Sequence, residues 1–124
     1  AKMEGQNPAG SVKDRIALAM VVDAEADGTL VSGCTIIEPS SGNTGIALAM
    51  IARIRGYPIK IVLPENVSPE RRQALEVFGA EIIPSPGEEG SNGAVRLARQ
   101  LADENPEWVF LSQYANALYA FELF

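Results

Sequence analysis

Along the chain, short runs of almost unbroken apolar residues alternate with longer stretches whose apolar positions recur at helical spacing. The runs are "TIIE" (35–38), "IKIVL" (59–63), "EII" (81–83) and "WVFL" (108–111). They are rich in β-branched and aromatic residues and barely alternate with polar ones, the pattern of strands buried on both faces. The intervening stretches predict helices over about 12–26, 44–54, 69–78 and 93–103. Such alternation with short connections predicts an α/β fold of three layers, a mostly parallel four-stranded sheet with helices on both faces. No internal repeat or low-complexity tract interrupts it.

The third helix carries a full set of boundary signals: Ser68 as N-cap, Pro69 at the first helical position and Gly79 as the stop. In the fourth, Ala94, Leu97, Ala98, Leu101 and Ala102 share one face, with Arg96, Arg99 and Gln100 elsewhere. Residues 85–93, "SPGEEGSNG", read as the one flexible loop, a solvated turn. The first two helices differ. Their cores, "IALAMVV" and "TGIALAMIARI", are apolar on nearly every face, and such a helix needs neighbours on two sides. One is the sheet; the other is expected to be a partner domain or subunit.

Composition narrows the class. The chain's 124 residues suffice for one domain with a real core. Its net charge of -6 is spread, and without a basic patch or aromatic-basic interleaving nucleic acid is set aside. The apolar runs fall short of a membrane span, and no signal peptide is read at the start. A single cysteine, Cys34, excludes an internal disulfide and points to a reducing, cytoplasmic setting. Histidine is absent, which excludes a Ser-His triad within the chain and leaves little for a zinc site, so no metal is expected.

Two motifs carry candidate chemistry. In "NPAGSVKDR" (7–15), Pro8 and Gly10 mark a turn and Ser11 is a good N-cap, so Lys13 falls in a helical first turn beside Arg15. The helix dipole disfavours an ammonium there. Read blandly, Lys13 is a surface lysine; read functionally, its free amine is favoured and suits a Schiff base with a carbonyl cofactor. The second motif, "EPSSGNTG" (38–45), lies between the end of a predicted parallel strand and an apolar helix, the crevice where open α/β sheets bind ligands. Gly42 and Gly45 allow close backbone approach, while Ser40, Ser41, Asn43 and Thr44 supply donors for a carboxylate or phosphate. Its bland reading is a polar turn with Ser41 or Asn43 as N-cap.

Together the two motifs resemble the β-family, fold type II, of pyridoxal 5′-phosphate enzymes. That group includes cysteine synthases, cystathionine β-synthases, threonine synthases and serine/threonine dehydratases. The longer strings "DAEADGTLVSGCTIIEPSSGNTGIALA" and "GYPIKIVLPENVSPERRQALEVFGAEII", with "EGSNGAV", narrow the resemblance to cysteine synthases (O-acetylserine sulfhydrylases), most of all the B-type. It covers about residues 1–116. The resemblance implies that Lys13 forms the Schiff base with pyridoxal 5′-phosphate and that Asn43 hydrogen-bonds the cofactor's 3′-oxygen. It implies that Ser40, Ser41, Gly42, Asn43 and Thr44 form the loop that grips the substrate α-carboxylate, with Gln113 a further contact. The implied activity makes L-cysteine from O-acetyl-L-serine and a sulfide donor by β-elimination and β-replacement. A homodimer and a serine acetyltransferase partner are implied as well. Cystathionine β-synthase and serine/threonine dehydratase share both motifs and stand as alternatives.

The sequence also departs from the pattern. Ser40 stands where the family usually has threonine, keeping the hydroxyl. After "QYAN" the family's Pro/Asn segment and its Thr/Gly-rich stretch give way to "ALYAFELF", and the later loop that binds the cofactor phosphate is not found. The expected organisation is therefore a lysine segment and helix over 1–33, a small α/β domain over 34–116 and an atypical tail over 117–124, with the larger cofactor domain missing. On that expectation the chain by itself is an incomplete, inactive portion. Cys34, before a buried strand and with no activating histidine, reads as structural.

Overall fold

The computed structural model describes residues 12–39 and 43–112, with 12–14 and 43 through their backbone alone. In chain order the elements are α1 (Val12–Ala26), β1 (Thr35–Pro39), α2 (Asn43–Arg55), β2 (Ile59–Pro64), α3 (Pro69–Val77), β3 (Glu81–Ser85), a 3-10 turn (Gly87–Glu89), α4 (Gly90–Glu104) and β4 (Trp108–Phe110). The strands form one parallel sheet in the order β3-β2-β1-β4. Parallel neighbours need crossovers. The chain steps outward from β1 to β2 to β3 through α2 and α3, then α4 carries it back over the sheet to place β4 on the far side of β1. The direction of winding reverses between β1 and β4.

Side-chain alternation divides the sheet between two cores. Ile36, Ile61, Leu63, Val109 and Leu111 pack with α1, α2 and α3, while Ile37, Val62 and Phe110 pack with α4. The α4 contribution comes from Ala94, Leu97, Ala98, Leu101 and Ala102, the face that its periodicity predicts. The three-layer α/β expectation holds.

The second neighbour of α2 is a different matter. Ala47, Leu48, Ala49 and Ala52 are all buried, and α1 packs on α2, so for these residues the chain itself supplies the neighbour expected from a partner domain or subunit. The apolar pattern on α2 is thus covered only in part among the described residues: Ile54 stays 81 % exposed, in an apolar cleft it lines with Met50, Val77 and Phe78. On α1 likewise, Ala17, Met20, Val21 and Ala24 face the core, while Leu18 and Val22 are exposed.

Residues 85–93 are also more ordered than the sequence suggests. Ser85 completes β3, the 3-10 turn follows, and α4 already starts at Gly90. The segment is tied to the β2–α3 connection: Glu65 N–H donates to the Ser85 carbonyl at 2.8 Å, and Gly87 N–H donates to Glu65 Oε2 at 3.1 Å. Helix α3 begins as its caps predict, with Arg71 N–H donating to Ser68 Oγ at 3.4 Å. It ends with Gly79 at φ 87, donating its N–H to the Glu76 carbonyl at 2.9 Å.

Candidate active site

At the starting ends of the strands, helices α1 and α2 are clasped by their last turns. Arg55 donates through Nη2 and Nε to the two Glu25 oxygens at 2.7 and 3.1 Å, and the Tyr57 hydroxyl donates to Glu25 Oε2 at 2.7 Å. The Arg55 guanidinium, then the Tyr57 hydroxyl, holds the Glu25 carboxyl below its usual range. With their C-terminal ends joined and their flanks packed, the two helices run in the same direction. Lys13 stands twelve positions before Glu25, and Asn43 twelve before Arg55. At 1.5 Å per residue each lies about 18 Å of helix from the clasp. The first turns of α1 and α2 therefore share one end of the molecule.

That end is also where the strands finish. α2 begins directly after the loop that leaves β1, so its free N–H groups open at the C-terminal edge of the sheet. The reversal of winding between β1 and β4 lies at this edge, and such a switch point is where open α/β sheets form their ligand crevice. The chain leaves the sheet twice at this edge, after Pro39 and after Phe110.

A buried carboxyl joins those two exits. Glu38, 1 % exposed, accepts the backbone N–H of Ser112 on Oε1 at 3.2 Å and the Ser112 hydroxyl on Oε2. Ser112 is itself 1 % exposed. Loss of hydration on burial pushes the Glu38 carboxyl up to about 8, only partly opposed by the hydrogen bond from the Ser112 backbone. Neither residue was singled out from the sequence. The available signal was a carboxylate at the end of an otherwise apolar run, "TIIEP", on a strand expected to be buried on both faces.

Of the residues with expected roles, Lys13 lies in the first turn of α1, Asn43 is the first residue of α2, and Thr44 is buried in the first turn of α2. Ser40, Ser41, Gly42 and Gln113 lie outside the described residues, as does the tail over 117–124. Gln113 directly follows Ser112 in the chain, and Ser40 directly follows Pro39. Cys34 is half-buried and packs against the larger core, in keeping with a structural residue. Among the described residues no helix is long and apolar enough to cross a membrane.

The donors that the sequence assigns to this end are an amine, an amide and hydroxyls. The first turn of α2 contains no acidic residue to repel an anion. This set suits an anionic, carbonyl-bearing group such as pyridoxal phosphate, which needs an amine for its aldehyde and donors for its oxygens.

Comparison with known proteins agrees. The chain is 53% identical over 109 residues to a cysteine synthase of Flavobacterium sp., covering 87% of this chain and 36% of that protein. It is 51% identical over 115 residues to cysteine synthase B of Escherichia coli, covering 93% and 38%. The chain thus spans little more than a third of the length of these curated relatives. Among solved structures, an O-ureido-L-serine synthase superposes with a TM-score of 0.84 at 46% identity, over 90% of this chain and 35% of that one. Residues 1–122 match the family described as "Pyridoxal-phosphate dependent enzyme". With the parallel sheet, the helix starts at its C-terminal edge and a match over nearly its whole length, the chain belongs to the pyridoxal-phosphate-dependent enzyme family.

Proposed function

We propose that the protein carrying this chain is a cysteine synthase, converting O-acetyl-L-serine and sulfide to L-cysteine and acetate. The observation that carries the reading is identity above 50% to two cysteine synthases over 109 and 115 residues. The O-ureido-L-serine synthase match supports the same reaction class, since its named product and L-cysteine are both alanines substituted at the β-carbon.

In this reading the 40–44 loop, the start of α2 and Gln113 bind the substrate α-carboxylate, and Asn43 orients the cofactor. Pyridoxal phosphate, when bound, supplies the electron sink for charge left at the α-carbon. Lys13 Nζ would hold the cofactor through its aldehyde and, as a free amine, would take the substrate α-proton as general base. Acetate then leaves from the β-carbon with its bonding electrons. Hydrosulfide adds to the same carbon, and the proton held on Lys13 Nζ returns to the α-carbon. Gripping the carboxylate fixes the α-C–H bond near Lys13, so binding is converted into orientation.

The test supplies O-acetyl-L-serine and sulfide to the cofactor-loaded protein and quantifies products. Equal amounts of L-cysteine and acetate are expected. Product from serine with homocysteine, or from threonine alone, in place of cysteine would move the assignment to a cystathionine β-synthase or a dehydratase.

A further inference from the structure

The ladder between β1 and β4 is short. Its register runs Thr35↔Trp108, Ile36↔Val109 and Ile37↔Phe110, and then stops. β4 is an edge strand, paired on one side only. Further along β1 come Glu38 and Pro39, and Pro39 has no N–H to extend the pairing. Both hydrogen bonds described for Ser112 go to the Glu38 side chain, its N–H to Oε1 at 3.2 Å and its hydroxyl to Oε2. One side chain therefore holds the chain where the backbone ladder has ended.

The link depends on the charge of that side chain. Glu38 and Ser112 are each 1 % exposed, and a carboxylate held there has exchanged its hydration for two hydrogen bonds. The neutral carboxyl gives up far less, and its own proton can serve the contact between Oε2 and Ser112 Oγ. Glu38 lies on the sheet face of Ile36, covered by α1 and α2 and flanked by β2 and β4. On β2, Lys60 lies with Val62 on the other face and pairs with Glu81 at 2.7 Å. β4 carries no charged residue. Asp23 and Glu25 lie in the last turn of α1, and Arg53 and Arg55 in the last turn of α2, at the opposite edge of the sheet. Near the start of α1, Arg15 is exposed, and Lys13 and Asp14 are described through their backbone alone. Burial pushes the Glu38 carboxyl up, the Ser112 N–H opposes this only in part, and no described cation contributes.

We propose that Glu38 is a pH-sensitive latch: with its proton it holds Ser112 to the edge of the sheet, and loss of that proton to water favours release of Ser112. The closed form keeps the proton, and the open form, with its carboxylate hydrated, gives it up. Each pH unit between the two proton affinities therefore shifts the opening equilibrium about tenfold toward the open form. The latch belongs to the chain's own fold and is independent of the reaction proposed above.

The test follows hydrogen exchange of the Ser112 amide between pH 5 and 8, inside the window from the usual carboxylate value to about 8. Each rate is divided by the intrinsic rate at that pH, and the series is repeated in urea below the unfolding transition. Ser112 protection is expected to fall with pH, by up to about tenfold per unit. Urea is expected to leave it unchanged, because a local opening exposes little surface. The amides of residues 61–63 in β2 are expected to stay more protected at every pH and to lose protection in urea. Glu38→Gln keeps an acceptor for the N–H and a donor for the hydroxyl, and its Ser112 protection is expected to stay constant with pH within about threefold. In the wild type, a carbon-13 titration of the Glu38 carboxyl is expected to have its midpoint above the usual carboxylate range. Protection that does not change with pH overturns the proposal, as does a decline that persists in Glu38→Gln. Ser112 exchange that matches β2 in rate and urea dependence also overturns it, by assigning the proton loss to global unfolding. Should Glu38→Gln not fold, the wild-type exchange series and the carboxyl titration decide together, and a midpoint in the usual range overturns the latch.

Discussion

Two glutamates mark opposite edges of the sheet, and they hold the chain by opposite physics. Glu25, at the edge where the strands start, is solvent-accessible and charged, gripped by Arg55 and Tyr57. Glu38, at the edge where the strands end, is buried and faces a serine, with no cation among its hydrogen-bond partners in the described residues. The first is a fastening between two helix ends, of the kind that water and salt weaken. The second takes a carboxyl out of water, which costs stability and is repaid only by the groups it organises. The fold tolerates expense at the switch point, next to the residues proposed to bind ligand, and not at the clasp behind them.

The apolar layer between the two edges sets the scale. Leu48 is fully buried between α1 and the sheet, and Leu48→Ala is expected to cost about 2–5 kcal/mol in chemical denaturation. A smaller loss would mean that α1 does not cover α2 as described, and that both glutamates sit on a looser frame.

Next in size is the response to pH, where the two carboxyls should move stability in opposite senses. Between about 4.5 and about 8 the folded chain keeps a proton on Glu38 that the unfolded chain has released. Stability from this group therefore falls as pH rises through that window, on the order of 1 kcal/mol per pH unit. Glu25 has a lowered folded value, so its contribution is present above the unfolded value and is lost as pH falls through the folded one. Glu38→Gln is expected to remove the decline between pH 5 and 8 in denaturation midpoints. A decline that persists in Glu38→Gln would place the proton elsewhere.

The smallest effect is expected at the clasp. Arg55→Met should shift thermal stability slightly in low salt and not at all in high salt, because the pair is exposed and screened. A large shift that survives salt would make the clasp equal to the buried link and erase the contrast.

Much of this architecture is legible in the sequence, for identifiable reasons. Strands buried on both faces leave unbroken apolar runs, so "IKIVL" announces β2, and the Ser68, Pro69 and Gly79 signals bracket α3. The extension of β3 through Pro84 to Ser85 is not legible, because proline ordinarily ends a strand. It is tolerated here since β3 is an edge strand. Periodicity likewise says that α2 needs two neighbours but not which, and only the packing reveals α1 as the second. At the site, Lys13 and the 38–45 motif stand out by residue type and spacing. The pairing of Glu38 with Ser112, 74 positions apart, has no local pattern and emerges only when β4 is laid beside β1.

Lys13, in the first turn of α1, is the residue proposed to carry the cofactor. The chain has two other lysines, Lys2 and Lys60, which serve as internal controls. Lys60 is engaged by Glu81 at 2.7 Å and lies 5.0 Å from the Trp108 ring centre. The decisive measurement is borohydride reduction of the protein with pyridoxal phosphate, followed by peptide mass mapping. The expected result is a pyridoxyl adduct on Lys13, absent from Lys13→Ala and equally from Lys13→Arg, whose guanidinium stays protonated. An adduct on Lys2 or Lys60 with none on Lys13 would contradict the account.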